Sequence, residues 1–300
     1  MYYKLLTKSL NGRQNNVEIK EDDLRETLQY VIENYPFSTF PYIISDVNSM
    51  NAQREFKSGN CIALCIAGQE YLEKKYDIKS YIIPASCPKK YQESEYLHIC
   101  HVALFIPQDR EKGYILDFAF YFKDPIEVEL NNYSDNFKAT MNQIYKGTEE
   151  HLRYKLNISK ERQVFNEYQE FPKNTKYVEM CYESDNSDCW NYYLREILNP
   201  DESITNFFIK VNKRPFICIS DKDSRLKLYI HYLDDNNIKI KDDGEEIYKG
   251  DVEEIPDDIR EKIDPKLERY FKKSVPIYLR KMEGEKRGEE METHLQTDHE

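Results

Sequence analysis

HICHVALFIPQDREKGYILDFAFYF, residues 98 to 122, is the stretch whose reading decides the fold. Two apolar runs flank the polar segment PQDREKG (107–113), which predicts a β-hairpin with a long loop. Side chains alternate across a strand, so Leu97, Ile99, His101, Ala103 and Phe105 share one face and His98, Cys100, Val102 and Leu104 share the other. In the second run Asp117 is the only charge, and a buried carboxylate is too costly to stand unpaired. A hairpin symmetric about a loop centred near Arg110 sets Ala103 opposite Asp117 and His101 opposite Ala119. His101 and Asp117 are then diagonal neighbours within side-chain reach, and His98 and Cys100 point away. A one-residue bulge reverses that choice.

Working upstream, Ser58-Gly59-Asn60 interrupts the chain before CIALCIAGQEYLEKKY (61–76), a largely buried helix with its polar residues in the second half. Its first residue is Cys61, with Ser58 or Asn60 as the cap. A thiol there feels the positive end of the helix dipole and unpaired N–H groups, both of which favour thiolate. Taken alone, a cysteine in such a helix is more often a small core hydrophobe, the reading kept for Cys65. A lone strand histidine is likewise more often a satisfied core or edge residue. Together the three types describe a nucleophile. Asp117 orients the imidazole, His101 takes the proton, and Cys61 attacks an acyl carbon to form a thioester. Backbone N–H groups at the helix start, that of Cys61 included, hold the oxyanion.

Further out, Glu21 to Asn34 carries Leu24, Leu28, Val31 and Ile32 at helical spacing, with Asp23 as N-cap and Glu26 completing a capping box. YPFSTFPYI (35–43) reads as an ordered loop, KSYIIPAS (79–86) as a strand, and residues 131 to 190 as mixed strand and loop. CWNYYLREIL (189–198) is helix-like; FFIKV (207–211), RPFICIS (214–220) and RLKLYIHYL (225–233) alternate as strands. Asp243-Gly244 marks a hairpin within IKIKDDGEEIYKG (238–250). The charged residues 280–300 predict a disordered tail.

Composition narrows the function. The 300 residues include 14 Phe and 25 Tyr, enough for a substantial core. Fifty-five acidic against 43 basic side chains, a net charge of −12, repel phosphate backbones, so no nucleic-acid partner is expected. No run approaches the roughly 20 apolar residues of a spanning helix, and the apolar part of MYYKLLTKSLNGR is too short for a signal peptide, so no membrane partner is expected. Seven cysteines, an odd number without framework spacing, suit a reducing, cytoplasmic location. Cys87, His98, Cys100, Cys181 and Cys189 lack the paired spacing of a zinc site, so no metal is expected.

Three short stretches carry a family likeness: Lys57-Ser58-Gly59-Asn60-Cys61, His101-Val102-Ala103-Leu104 and Asp117-Phe118-Ala119-Phe120-Tyr121. In order and spacing the chain resembles the transglutaminase-like superfamily and, within it, the arylamine N-acetyltransferases. Their patterns are Arg-Gly-Gly-x-Cys, His-x-x-Leu and Asp-Val-Gly-Phe-Gly. Pro36-Phe37 and NPDESITNFFIKV (199–211) extend the likeness, which covers about residues 20 to 275. Lys57 and Ser58 replace the Arg and first Gly of the first pattern, and Ala119 and Tyr121 replace both glycines of the third. The resemblance implies an α+β protein with a helical N-terminal domain (1–80), an antiparallel β-barrel-like middle domain (81–188), an α/β C-terminal domain (189–279) and the tail (280–300). It implies an acyltransferase with Cys61, His101 and Asp117 as triad, a small-molecule amine as acceptor, acetyl-CoA or another acyl-CoA as cosubstrate in the interdomain cleft, no tightly bound cofactor, and a monomer. The same triad also serves a transglutaminase-like amidase or peptidase, and an inactive family member acting as a binding protein is a third reading. Trp190, Tyr192 and Tyr193 are candidates for an aromatic acceptor pocket against the commoner core role, and Lys89 and Lys90 for CoA phosphates against a solvated pair.

Overall fold

The computed structural model describes residues 15, 17–86, 101–108, 112–129, 133–140, 149–157, 189–193, 216–220, 226–233 and 236–271. The stretch 87–100, Cys181, residues 194–215 and the tail 280–300 lie outside the described residues, as do the side chains of Trp190 and Tyr193.

Helix α1 spans Glu21–Asn34 and buries Leu24, Leu28, Val31 and Ile32 on one face. It begins at Glu21, two residues before the expected N-cap Asp23, and Lys20 at its N-cap makes no side-chain cap bond. Three acids in the first turn face the positive helix end instead. Glu26 closes no capping box. Its carboxylate accepts bonds from the Lys75 ammonium and from the Tyr76 and Tyr71 hydroxyls (2.6 and 2.7 Å), which together lower its pKa to about 2.

The segment expected to be a loop is more ordered. Phe37–Ser38 forms strand β1 and Phe40–Ile44 a short helix, α2, with Pro41 in the first turn, where its missing N–H leaves nothing unpaired. Helix α3 spans Cys61–Tyr76, as read from the sequence, and ends at Asp77 in the left-handed region (φ 56°).

The next seven strands are β2 (Tyr81–Ser86), β3 (His101–Pro107), β4 (Lys112–Leu116), β5 (Ile126–Glu129), β6 (Tyr133–Thr140), β7 (Glu149–Asn157) and β8 (Cys189–Tyr193). They form one sheet in the order β5-β4-β3-β2-β8-β7-β6. CWNYY is thus a strand rather than a helix. It pairs antiparallel with β2 and parallel with β7, so two ladders outweigh the weak local helical spacing of its aromatics. A second sheet, β1-β9-β10-β11-β12, is built from β9 (Phe216–Ser220), β10 (Leu226–Tyr232), β11 (Asn237–Asp242) and β12 (Glu245–Asp251), the last two closed by Asp243-Gly244. Helix α4 (Asp257–Phe271) follows; the sequence reading did not place it, and Pro265 inside it disguises its pattern.

Both sheets are built chiefly from antiparallel pairs, and with the helices they make an α+β protein. One core lies where α1 and α3 meet β2–β4 and includes Leu28, Ile62, Leu64, Val102, Leu104, Leu116 and Phe118. The other joins Ile217, Ile219, Ile230, Ile238 and Ile240 of the second sheet to Phe40 and Ile263. Ile32, Tyr121 and Cys218 connect them, and the Tyr121 hydroxyl donates to the Cys218 carbonyl at 3.1 Å.

Candidate active site

The turn before α3 admits little variation. Gly59 has φ +157°, and a Cβ there would lie 2.4 Å from the Ala63 Cβ and 2.8 Å from the Tyr42 hydroxyl. Its carbonyl accepts the Ser38 N–H at 2.8 Å and its N–H donates to the Pro36 carbonyl at 3.3 Å, which straps the turn to β1. Asn60 caps the helix, its Oδ1 accepting the N–H groups of Ile62 (3.1 Å) and Ala63 (3.2 Å). Of the two expected caps Asn60 serves; the Ser58 hydroxyl is buried with no hydrogen-bond partner. Cys61 therefore opens the helix beside a polar cap, itself buried.

His101 and Asp117 arrive from the hairpin. The ladder pairs Leu104 with Leu116, Phe105 with Ile115, Ile106 with Tyr114 and Pro107 with Gly113, without a bulge, which is the register of a loop centred near Arg110. Strand β4 stops at Leu116, earlier than expected, and the chain turns. Tyr121 N–H donates to Phe118 O (3.0 Å) and Phe122 N–H to Asp117 O (3.3 Å), so Ala119 forms no ladder pair with His101. Parity nevertheless decides the contact. His101 Nε2 and Asp117 Oδ2 are 2.8 Å apart, with the aspartate wholly buried and the histidine nearly so. Phe118, next to the aspartate, anchors the turn by packing against Gly68 of α3 so closely that a Cβ there would meet its ring at 2.4 Å.

The electrostatics follow from this burial. Desolvation works to lower the His101 pKa, but the charge of Asp117, its hydrogen bond and the hydrogen-bonding Cys61 thiol outweigh it and raise the pKa to about 10. With Nε2 committed to Asp117, Nδ1 is the ring nitrogen left to interact with Cys61. The structure thus brings all three expected residues into one interacting group. Cys65, one turn along, donates weakly to the Val102 carbonyl (3.9 Å); burial, then the charges of Cys61 and Asp117, push its pKa well up, as suits a core thiol.

Two neighbours complete the site. The Tyr192 hydroxyl donates to Asp117 Oδ2 at 3.1 Å, while Asp117 Oδ1 is buried with no hydrogen-bond partner. Tyr192 is fully buried, in keeping with the commoner core role. Reading CWNYY as a strand would have exposed its role, because alternation turns Tyr192 inward. Phe120 stands edge-on to the His101 ring at 4.7 Å. Among the described residues no group of three or more His, Cys, Asp or Glu side chains is placed to hold a metal, and no helix is long and apolar enough to cross a membrane.

No protein-family model matches the chain, and no curated protein does. Solved structures similar to it are arylamine N-acetyltransferases. Arylamine N-acetyltransferase C of Bacillus anthracis is 17% identical, over 89% of this chain and 97% of that one, with a TM-score of 0.46. NAT3 of Bacillus cereus, described as having a Cys-His-Glu catalytic triad, is 12% identical over 86% and 96%, with a TM-score of 0.46. The Mycobacterium abscessus enzyme is 10% identical over 86% and 89%, also at 0.46.

Proposed function

We propose that the chain is a cysteine-nucleophile acyltransferase that carries an acyl group from a CoA thioester to an amine through a thioester on Cys61. The observation that carries this reading is the buried 2.8 Å His101–Asp117 pair with the Cys61 thiol as the ring's other hydrogen-bonding neighbour. With its pKa near 10, His101 holds its proton at neutral pH and faces the sulfur as a cation. In the first half-reaction the Cys61 sulfur attacks the acyl carbon and the carbonyl oxygen becomes an oxyanion, held by the Cys61 N–H. Collapse breaks the bond to the CoA sulfur, and His101 hands that sulfur its proton. In the second, an amine attacks the thioester, His101 takes up the amine proton, and Cys61 leaves as thiolate. Asp117 keeps the ring oriented throughout and stabilises its cation whenever the proton is on it.

The choice of CoA and an amine rests on the resemblance of the segments around Cys61, His101 and Asp117, and acetyl is the first donor to test. Intact-mass measurement after exposure to a panel of acyl-CoAs should find one acyl group, on Cys61 and absent from Cys61→Ala. A protein that stays unmodified while iodoacetamide alkylates Cys61 argues against acyl transfer.

One observation favours a second reading, an amidase or transglutaminase-like hydrolase. At a position where the resembled family has glycine, Tyr121 is fully buried at φ 58° with its hydroxyl bonded to the Cys218 carbonyl. A large side chain there leaves less room for a nucleotide-bearing donor. Hydrolysis of glutamine or peptide amides in the absence of any CoA thioester identifies that activity.

A further inference from the structure

Asn60 directly precedes Cys61, and its side chain sits buried where donors converge on one oxygen. Oδ1 accepts the N–H groups of Ile62 (3.1 Å) and Ala63 (3.2 Å) and the hydroxyls of Tyr42 (2.8 Å) and Ser49 (3.2 Å). The Tyr42 oxygen in turn accepts the Asn60 N–H at 3.1 Å and lies 3.1 Å from the Ser49 hydroxyl. The Asn60 carbonyl takes the Leu64 N–H at 3.1 Å. Asn60 thus claims three N–H groups of the first turn and leaves that of Cys61 to other uses.

Four donors converge on Oδ1, and they would hold a carboxylate oxygen there as they hold the amide oxygen. Aspartate caps helices as well as asparagine does, gains from the helix dipole, and is nearly isosteric. The amide keeps the cap neutral, and the quantity this protects is the field at the next residue. A carboxylate at position 60 would neutralise the same dipole and N–H groups that favour a negative sulfur at position 61.

We infer that Asn60 is a positioning residue that caps the nucleophile helix with an uncharged oxygen, reserving the positive helix end for the Cys61 sulfur and the Cys61 N–H for the substrate oxyanion. This rests on the reading of Cys61 as the nucleophile. Among the described residues, His101, with Asp117 behind that ring, and Cys65 one turn on are titratable groups coupled to the sulfur, and none is altered in the variants below.

The test needs neither substrate nor access to the buried thiol. Thiolate absorbance near 240 nm is titrated for the wild type, Asn60→Asp and Asn60→Ser, each against its own Cys61→Ala counterpart. In Asn60→Asp the absorbance step should move up by about one pH unit, the effect of a like charge close by. The neutral serine cap should leave the step where the wild type has it. An aspartate variant that folds and titrates like the wild type overturns the inference. If Asn60→Asp does not fold, a step displaced in Asn60→Ser overturns it and an unmoved step supports it. Should wild-type Cys61 itself titrate as an ordinary free thiol, the nucleophile reading suffers, while the difference between variants still decides the role of Asn60.

Discussion

The two cores of the molecule are made of similar apolar residues and differ in which polar groups they enclose. In the second sheet, β11 alternates strictly, with Ile238, Ile240 and Asp242 inward, the Asp242 carboxylate meeting the Lys262 ammonium, while Lys239 reaches out to Glu246 at 2.7 Å. The core around α3 encloses Asn60, His101 and Asp117, and it leaves Ser58 Oγ and Asp117 Oδ1 buried without partners. Unpaired buried polar atoms cost stability, and beside His101 that cost falls on the carboxylate that holds the ring. The second sheet reads as the part that holds the protein together, and the α3 core as the part arranged for chemistry.

The largest expected effect breaks the chemical side of that comparison alone. Asp117→Asn keeps the shape of the side chain but loses the charge that holds His101 protonated, and should lower acyl transfer about 10³- to 10⁴-fold. Circular dichroism of the variant should remain that of the wild type. A loss below tenfold would remove Asp117 from the triad. The same variant sharpens the pH dependence. His101 has a folded pKa of about 10, above the roughly 6.5 of an unfolded histidine, so its contribution to stability is complete below about pH 6.5 and is lost as pH rises through about 10. Thermal midpoints across that window should fall for the wild type and stay flatter for Asp117→Asn.

The converse variant lies in the other core. Ile240 is fully buried between Ile230 and Tyr248, its cross-strand partners. Ile240→Ala should cost about 2–5 kcal/mol of stability in denaturant unfolding through the cavity it leaves. Alkylation of Cys61 in the folded variant should proceed at the wild-type rate. A stability loss that also slows Cys61 would show that the two cores are coupled, with the Tyr121–Cys218 contact as the first suspect.

The same division explains what the sequence disclosed. His101 and Asp117 could be paired because a hairpin without a bulge has only two side-chain parities, and one buried charge selects between them. The helix at Cys61 was legible from Ser58-Gly59-Asn60, whose cap acts within three residues. What stayed hidden depends on distant partners. Glu26 looks like a capping residue because its bonds to Tyr71, Lys75 and Tyr76 cross forty-five or more positions. Residues 189–193 look helical because the ladders that fix them come from β2 and β7. Phe37–Ser38 looks like a loop because its partner strand lies at Ile217 and Cys218.

Tyr192 is where that hidden part touches the chemistry, and its variant has the smallest expected effect. The hydroxyl shares Asp117 Oδ2 with His101, so Tyr192→Phe removes one of two donors to a buried carboxylate and keeps the ring that fills the space. A hydrogen bond to a charged group is worth about 1.5–3 kcal/mol, and here the remaining bond to His101 can tighten. The expectation is a loss of about tenfold in kcat with KM unchanged, because the bond orients the triad without touching substrate. Freed of one donor, Asp117 attracts the imidazolium more strongly, so His101 should hold its proton to higher pH. Activity that rises with loss of that proton should move upward in pH with it. A variant that changes KM alone would place Tyr192 against the acceptor, the less common of its two sequence readings, and would mean that this part of the site opens when substrate binds.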